Sequence, residues 1–115
     1  MEEKKNIPFA LLTVGGRDYM LRLTAGAAMR LEERLGSSVY CGLKRLDEVT
    51  VMIDFLYALA EGFMPDFSRN AAALLFDDFI NEGGTLRKMN GIILEAMDRS
   101  GFFDCGEAAK PPQSL

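Results

Sequence analysis

The most constraining feature of this sequence is a change of hydrophobic period within residues 19–36, "YMLRLTAGAAMRLEERLG". From Tyr19 to Leu23, apolar side chains recur at every second position, which is the period of a strand. After Thr24 they recur at a spacing of three or four residues, through Leu31 to Leu35, which is the period of a helix. The chain must therefore fold with a strand that runs almost directly into a helix.

The segment before this joint is predicted to form a β-hairpin. The Gly-Gly pair at positions 15–16 separates two apolar runs and supplies the positive φ angles of a two-residue turn. This turn places Leu12 opposite Tyr19 on one face and Leu11 opposite Met20 on the other. Two strands alone are marginally stable, so one face must pack on helices. The other face is covered either by the chain itself or by a partner, and the sequence leaves both open.

About four helices are predicted after the hairpin, and three of them have clear signals at their first residues. Thr24 is a good N-cap for the first, which ends at Gly36, the favoured residue type after a helix. Thr50 begins "VMIDFLYALAEGF", which is apolar over so wide an arc that we expect it to be the central helix. Ser68 caps "RNAAALLFDDFINE", and Thr85 caps "LRKMNGIILEAMDRS". The predicted fold class is therefore α+β and mostly helical, with an N-terminal β-hairpin followed by about four packed helices.

Less regular segments complete the predicted organisation. The connector "SSVYCGLKRLDEV" is interpreted as holding a short helical turn around residues 43–46. Gly91, inside the last helix, either permits close packing or marks a weak point. At 115 residues the chain fits one globular domain over residues 1–105, with residues 1–6 frayed. Phe102 and Phe103 are expected to pack on the core, and residues 106–115 to form a disordered tail.

Composition argues against several classes of function. The chain contains no histidine, the commonest general base and zinc ligand, and its net charge is −4, with no basic patch for phosphates. We therefore expect that the protein is not an enzyme and that it binds no cofactor, metal ion or nucleic acid. No apolar run is long enough for a membrane span, and the "MEEKK" start does not resemble a signal peptide. The densest carboxylates, those of Asp77, Asp78 and Glu82, are interpreted as a solvated helix face, and Asp54 and Glu61 also as surface residues.

Apolar side chains without an obvious place in the core are more informative. Seven methionines in 115 residues is a high content, and methionine suits adaptable contact surfaces. Each such residue alone fits an irregular core, but as a set they favour an exposed contact patch. The candidate partner-binding residues are Phe9, Leu11, Met20, Met29 and Leu74.

The stretch at residues 19–36 resembles the start of the tail assembly chaperones of long-tailed bacteriophages and prophages. Those proteins commonly have a strand that leads through a T-x-x-A segment into a helix with a Leu-Glu pair and a terminal Leu-Gly. The stretches "VTVMIDFLYALAEG", "FDDFINEGGTL" and "SGFF" also look like this family, so the resemblance covers roughly residues 9–104. The matching residues at the joint are Thr24, Ala27 or Ala28, Leu31, Glu32, Leu35 and Gly36.

The resemblance implies a non-enzymatic role in building a phage tail. Such chaperones bind the long tape measure protein, keep it soluble, help recruit tail tube protein, and leave before the virion is finished. They act in the cytoplasm of the bacterial host. The same apolar patch would also serve to form a homo-oligomer.

Two alternatives stay open beside this interpretation. The first is a small phage or bacterial structural connector that remains in the particle. The second, weaker one is a DNA-binding regulator that would use Arg87, Lys88 and Arg99 on the last helix, although the acidic charge argues against it.

Overall fold

The computed structural model describes residues 8–102, and within them an antiparallel hairpin precedes five helices. The strands are β1 (Ala10–Val14) and β2 (Arg17–Leu21). The helices are α1 (Ala25–Leu35), α2 (Val39–Leu43), α3 (Val49–Ala60), α4 (Arg69–Asn81) and α5 (Leu86–Arg99). The predicted α+β, mostly helical class is confirmed. The predictions for residues 1–6, for Phe103 and for residues 106–115 fall outside the described residues.

The hairpin has the predicted turn and register. Gly15 and Gly16 have φ angles of 62° and 74°, which fit a type I′ turn. Leu12 pairs with Tyr19, and Leu11 pairs with Met20. The inner face, which includes Leu12, is buried against the helices, so the hairpin contributes one face to the core.

The joint between β2 and α1 is stabilised by one local hydrogen bond and by two hydrogen bonds to residues distant in sequence. The hydroxyl of Thr24 accepts from the N–H of Ala27 at 3.2 Å, as expected of an N-cap. The N–H of Arg22 donates to the carbonyl of Leu59 at 2.9 Å, and the N–H of Leu23 donates to the hydroxyl of Ser100 at 2.8 Å. The end of β2 is therefore held by the C-terminal ends of both α3 and α5.

Helix α3 is the centre of the molecule, as predicted, and packs against α1, α4, α5 and β2. It begins at Val49, one residue before the predicted start at Thr50, and Glu48 occupies the N-cap without a side-chain hydrogen bond. The interpretation of Asp54 as a surface residue is wrong, because Asp54 is 8% exposed. Its carboxylate accepts a hydrogen bond from Nε of Arg69 at 2.5 Å. Arg69 is the first residue of α4, so this ion pair joins α4 to the buried carboxylate of α3.

The connector between α1 and α3 forms a short helix that begins earlier than predicted. Ser38 caps α2 by accepting from the N–H of Cys41 at 3.1 Å, and helical turns continue through Lys44 and Arg45. A Cβ on Gly42 would lie 2.6 Å from Cδ1 of Leu35. The close approach of α2 to the core explains why a five-residue helix is stable here.

Helices α4 and α5 begin after their predicted caps. The hydroxyls of Ser68 and Thr85 accept from backbone N–H groups three residues on. Gly91 is exposed, and a Cβ built on it meets nothing within 4 Å. The suggestion that Gly91 permits close packing is therefore wrong. Phe102 packs partly buried against the core, and its carbonyl accepts from the hydroxyl of Tyr40.

Candidate protein-interaction surface

Four of the five candidate partner-binding residues are exposed. Met29 is 68% exposed on α1 and Leu74 is 56% exposed on α4. Leu11 and Met20 are 53% and 37% exposed and lie opposite one another on the outer face of the hairpin. Residues 8–102 thus leave Leu11 and Met20 uncovered on this face and bury the opposite face of the hairpin. Their role in binding stays a prediction.

Phe9 differs from the other four, because it has an internal neighbour. Its side chain is partly buried, and its ring meets the ring of Phe63 edge-on, with the centroids 6.1 Å apart. The reason is the bond between Arg22 and Leu59, which brings the end of α3 to the open end of the hairpin. Phe9 thus helps to hold the chain that leaves α3.

A groove lies between β2 and α4, and we call it the β2–α4 groove. Its volume is about 520 Å³, within the range of about 300–1,000 Å³ that is typical of ligand pockets. Arg17 and Tyr19 form the strand side, and the segment at residues 63–67 closes one end. The helix side is formed by α4 residues that include Leu74, Leu75 and Asp78. The structure therefore brings Leu74 to a concave surface, whereas Met29 is not among the lining residues.

The segment that closes the groove is fixed by aromatic packing. Phe67 stacks on Tyr57 of α3, with the ring centroids 6.4 Å apart. The N–H of Phe67 donates to the carbonyl of Met64 at 2.9 Å, which tightens the segment around Pro65. The end wall is thus anchored on the central helix.

Charge in the groove is divided between its two sides. The guanidinium of Arg17 lies 5.0 Å from the centre of the Tyr19 ring, a cation–π contact. Asp66 and Asp78 also line the groove, and no ion pair involves either carboxylate within the described part of the chain. Asp77 is exposed on α4 next to Asp78. The groove therefore presents an aromatic and aliphatic interior, with Arg17 on its strand side and carboxylates on its end wall and helix side.

Other charged pairs lie outside the groove. Glu61, interpreted as a surface residue, is partly buried and accepts from the Arg30 guanidinium at 3.0 Å. Arg45 hydrogen-bonds the carboxylate of Glu48 and lowers the pKa of that group below its ordinary value. These pairs connect α1 to the end of α3 and fix the turn before α3.

Sequence reasoning missed the groove itself. Its end wall comes from "EGFMPDF", a segment between two helices in which Phe63 is 38% exposed and Met64 and Phe67 are partly buried. Loops are ordinarily polar, so three large apolar residues around Pro65 are the signal that could have revealed it.

Within residues 8–102, no three His, Cys, Asp or Glu side chains converge in a way that could hold a metal ion. The helices described there are too short or too polar to cross a bilayer. Comparison with protein-family models, with curated proteins and with solved structures finds no match.

Proposed function

We propose that this protein is a bacteriophage tail assembly chaperone that binds the tape measure protein and helps to recruit tail tube protein, without catalysis. The observation that carries the proposal is a set of large apolar side chains exposed around a core that is already filled. Leu11, Met20, Met29 and Leu74 are exposed, whereas the core includes buried side chains from both strands and all five helices. The resemblance at residues 19–36 supplies the identity of the partners.

Exposed apolar side chains suit a protein that must compete with aggregation of a long partner. Removing apolar surface from water is favourable by about 25 cal/mol per Å², and the part of this that exceeds the entropic cost of association stabilises a complex. The net charge of −4 opposes self-aggregation of the carrier. A protein with these two properties can cover apolar segments of another chain and remain dispersed.

The proposal places the protein in the cytoplasm of the bacterial host and outside the finished virion. A chaperone must release its partner, which favours a modest contact over a large permanent interface. The outer face of the hairpin, centred on Leu11 and Met20, is a small two-stranded surface of this kind.

Co-expression with the tape measure protein of the same phage or prophage tests the proposal. We expect the wild-type protein to raise soluble recovery of the tape measure protein, and the double variant Leu11→Ser/Met20→Ser to lose this effect. The matched control is Val49→Ser/Leu94→Ser, which removes two exposed apolar side chains that belong to α3 and α5 and not to the hairpin. Thermal unfolding shows whether each variant is folded. Recovery that is unchanged by the wild-type protein would contradict the proposal.

Mass spectrometry of purified virions separates this proposal from a structural connector. A chaperone that leaves before completion should be absent from the particle, whereas a connector should be present in a fixed ratio to tail tube protein. Detection at such a ratio would favour the connector.

A further inference from the structure

The outer edge of β2 presents backbone groups that the hairpin does not use. In an antiparallel pair closed by a two-residue turn, the residues that flank the turn exchange both hydrogen bonds, and alternate pairs point outward. Because Arg17 pairs with Val14 beside the turn, the N–H and C=O groups of Asp18 and Met20 point to the free edge. No backbone hydrogen bond to these groups from outside the hairpin is found in residues 8–102.

This free edge adjoins the β2–α4 groove. The bond from the N–H of Arg22 to the carbonyl of Leu59 places the end of α3 on the outer edge of β2. The chain then continues into residues 63–67, which line the groove together with Arg17 and Tyr19. No lining residue belongs to β1, although α4 itself packs against that strand, so β2 alone forms the strand side of the groove.

We propose that the β2–α4 groove accepts an extended segment of a partner protein, which adds to β2 as a third strand. The groups of Asp18 and Met20 form the ladder, and alternate side chains of the segment enter the groove toward Leu74. Since Leu59 already occupies the edge at Arg22, the added strand is short, about five residues.

The chemistry of the groove specifies the composition of this segment. Its interior is apolar, with Phe67 and Leu75 beside Leu74, so the inward positions of the segment are apolar. Asp66 on the end wall and Asp78 on the helix side have no ion-pair partner in the described residues, whereas Arg17 lines the strand side, so the segment carries lysine or arginine where it faces the end wall and α4. A helix would leave the edge groups of β2 unpaired, because a helix satisfies its own backbone groups internally.

The inference rests on the proposed function in one respect: the proposed function identifies the tape measure protein as the source of the segment. A synthetic probe tests the mode of binding independently. The probe is an acetylated and amidated peptide, Lys-Val-Thr-Val-Thr-Val-Lys, and its control has proline in place of the central valine, with the same charge. Binding is followed by chemical shifts and by hydrogen exchange of backbone amides in the full chain.

We expect the probe to bind with a Kd of about 1 mM or tighter and the proline control to bind at least about tenfold more weakly. The amides of Asp18 and Met20 should gain protection, and those of Leu11 and Thr13 on the opposite edge should not. Unchanged Asp18 and Met20 amides at saturating probe would overturn the inference. Concentration-dependent protection of these amides without probe would also overturn it, because a second copy would then occupy the edge.

Two pairs of variants separate the edge from the groove. Asp18→Pro and Thr13→Pro each remove one outward amide and the same Thr13–Asp18 side-chain hydrogen bond, but on opposite edges. Asp18→Pro should weaken the probe about tenfold and Thr13→Pro less than about twofold. Leu74→Lys should weaken it through the groove, whereas Leu94→Lys, at an exposed position of α5, should not. Equal effects within both pairs would contradict the inference.

The two proposals fail in different ways. If the probe does not bind but co-expression still rescues the tape measure protein, strand addition is wrong and the proposed function stands. If the probe binds at the edge but co-expression has no effect, the proposed function is wrong and the strand-addition site stands.

Discussion

Helices α3 and α4 are neighbours of almost equal length, but they use their apolar residues differently. Helix α3 has 12 residues, of which nine are buried. Helix α4 has 13 residues, of which only Ala72 and Leu75 are buried. Helix α3 is enclosed by α1, α4, α5 and β2, whereas α4 packs against α3 and β1.

The difference shows that apolar content alone does not determine burial. Helix α4 carries Leu74, Phe76, Phe79 and Ile80 in addition to its two buried residues, and Leu74 and Ile80 are more than 40% exposed. A helix at the border of a domain has one covered stripe, and its remaining apolar side chains are available for contact. Helix α3 thus specifies the fold, and α4 supplies one wall of the β2–α4 groove.

The largest expected effect tests this division directly. Phe55→Ala in α3 should reduce the free energy of unfolding by about 3–5 kcal/mol, because its fully buried ring leaves a cavity. Leu74→Ala in α4 should change it by less than about 0.5 kcal/mol, because the side chain is mostly in solvent. Urea unfolding followed by circular dichroism measures both. Similar losses would show that α4 belongs to the core as much as α3 does.

The ion pair between the two helices gives the next effect. Arg69→Ala should cost about 1–3 kcal/mol, because it leaves the buried Asp54 carboxylate without its partner. Arg87→Ala, at an exposed position of α5, is the matched control and should be close to neutral. The same unfolding assay compares them. Equal stability of the two variants would mean that solvent satisfies Asp54 and that the pair does not join α3 to α4.

Substitutions at two glycines test whether the packing around α3 is more rigid than the packing around α4. Gly42→Ala should cost about 1–3 kcal/mol, because the new Cβ would lie 2.6 Å from Leu35 and 3.2 Å from Phe55 in the core. Gly84→Ala places a Cβ 2.4 Å from Phe79 of α4, but that ring is only partly buried and can turn outward. Its cost should be about 1 kcal/mol or less. Thermal unfolding measures both, and a larger loss at Gly84 would show that the α4 surface is rigid.

The smallest effect is a gain in stability. Gly91→Ala should stabilise the protein by about 0.5–1 kcal/mol, because alanine is the better helix former and the added Cβ meets nothing within 4 Å. It provides a reference for a change within a helix that has no packing consequence. A loss of stability at this position would reveal a contact that the exposed surface of α5 does not show.

Much of the fold was predictable because its signals are local. The Gly-Gly turn set the register of the hairpin, and the hydroxyls of Thr24, Ser68 and Thr85 cap helices at the predicted places. The position of Asp54 was not predictable, since its burial depends on Arg69, which is fifteen residues away. Helical periodicity places a carboxylate on an edge of the wheel but does not say what covers that edge.

The candidate surface was predicted in part. The placement of Leu11 and Met20 on one face follows from the alternation of the hairpin, which is a local property, whereas their exposure depends on the helices packing against the other face. The β2–α4 groove depends on where α3 ends relative to β2, and the bond between Arg22 and Leu59 decides this through tertiary structure. For the same reason Phe9, which sequence alone leaves without a neighbour, finds Phe63.

The bond between the N–H of Leu23 and the hydroxyl of Ser100 has a consequence for synthesis. The two residues are 77 positions apart, so the joint is completed by the residue that follows α5. During synthesis the hairpin and α1 are made before α5, so the joint stays incomplete until α5 and Ser100 have been made. Such distant contacts slow folding, because loop closure comes before the contact that rewards it. Completion of α5 and Ser100, rather than formation of the turn, is therefore the step at which this joint becomes native.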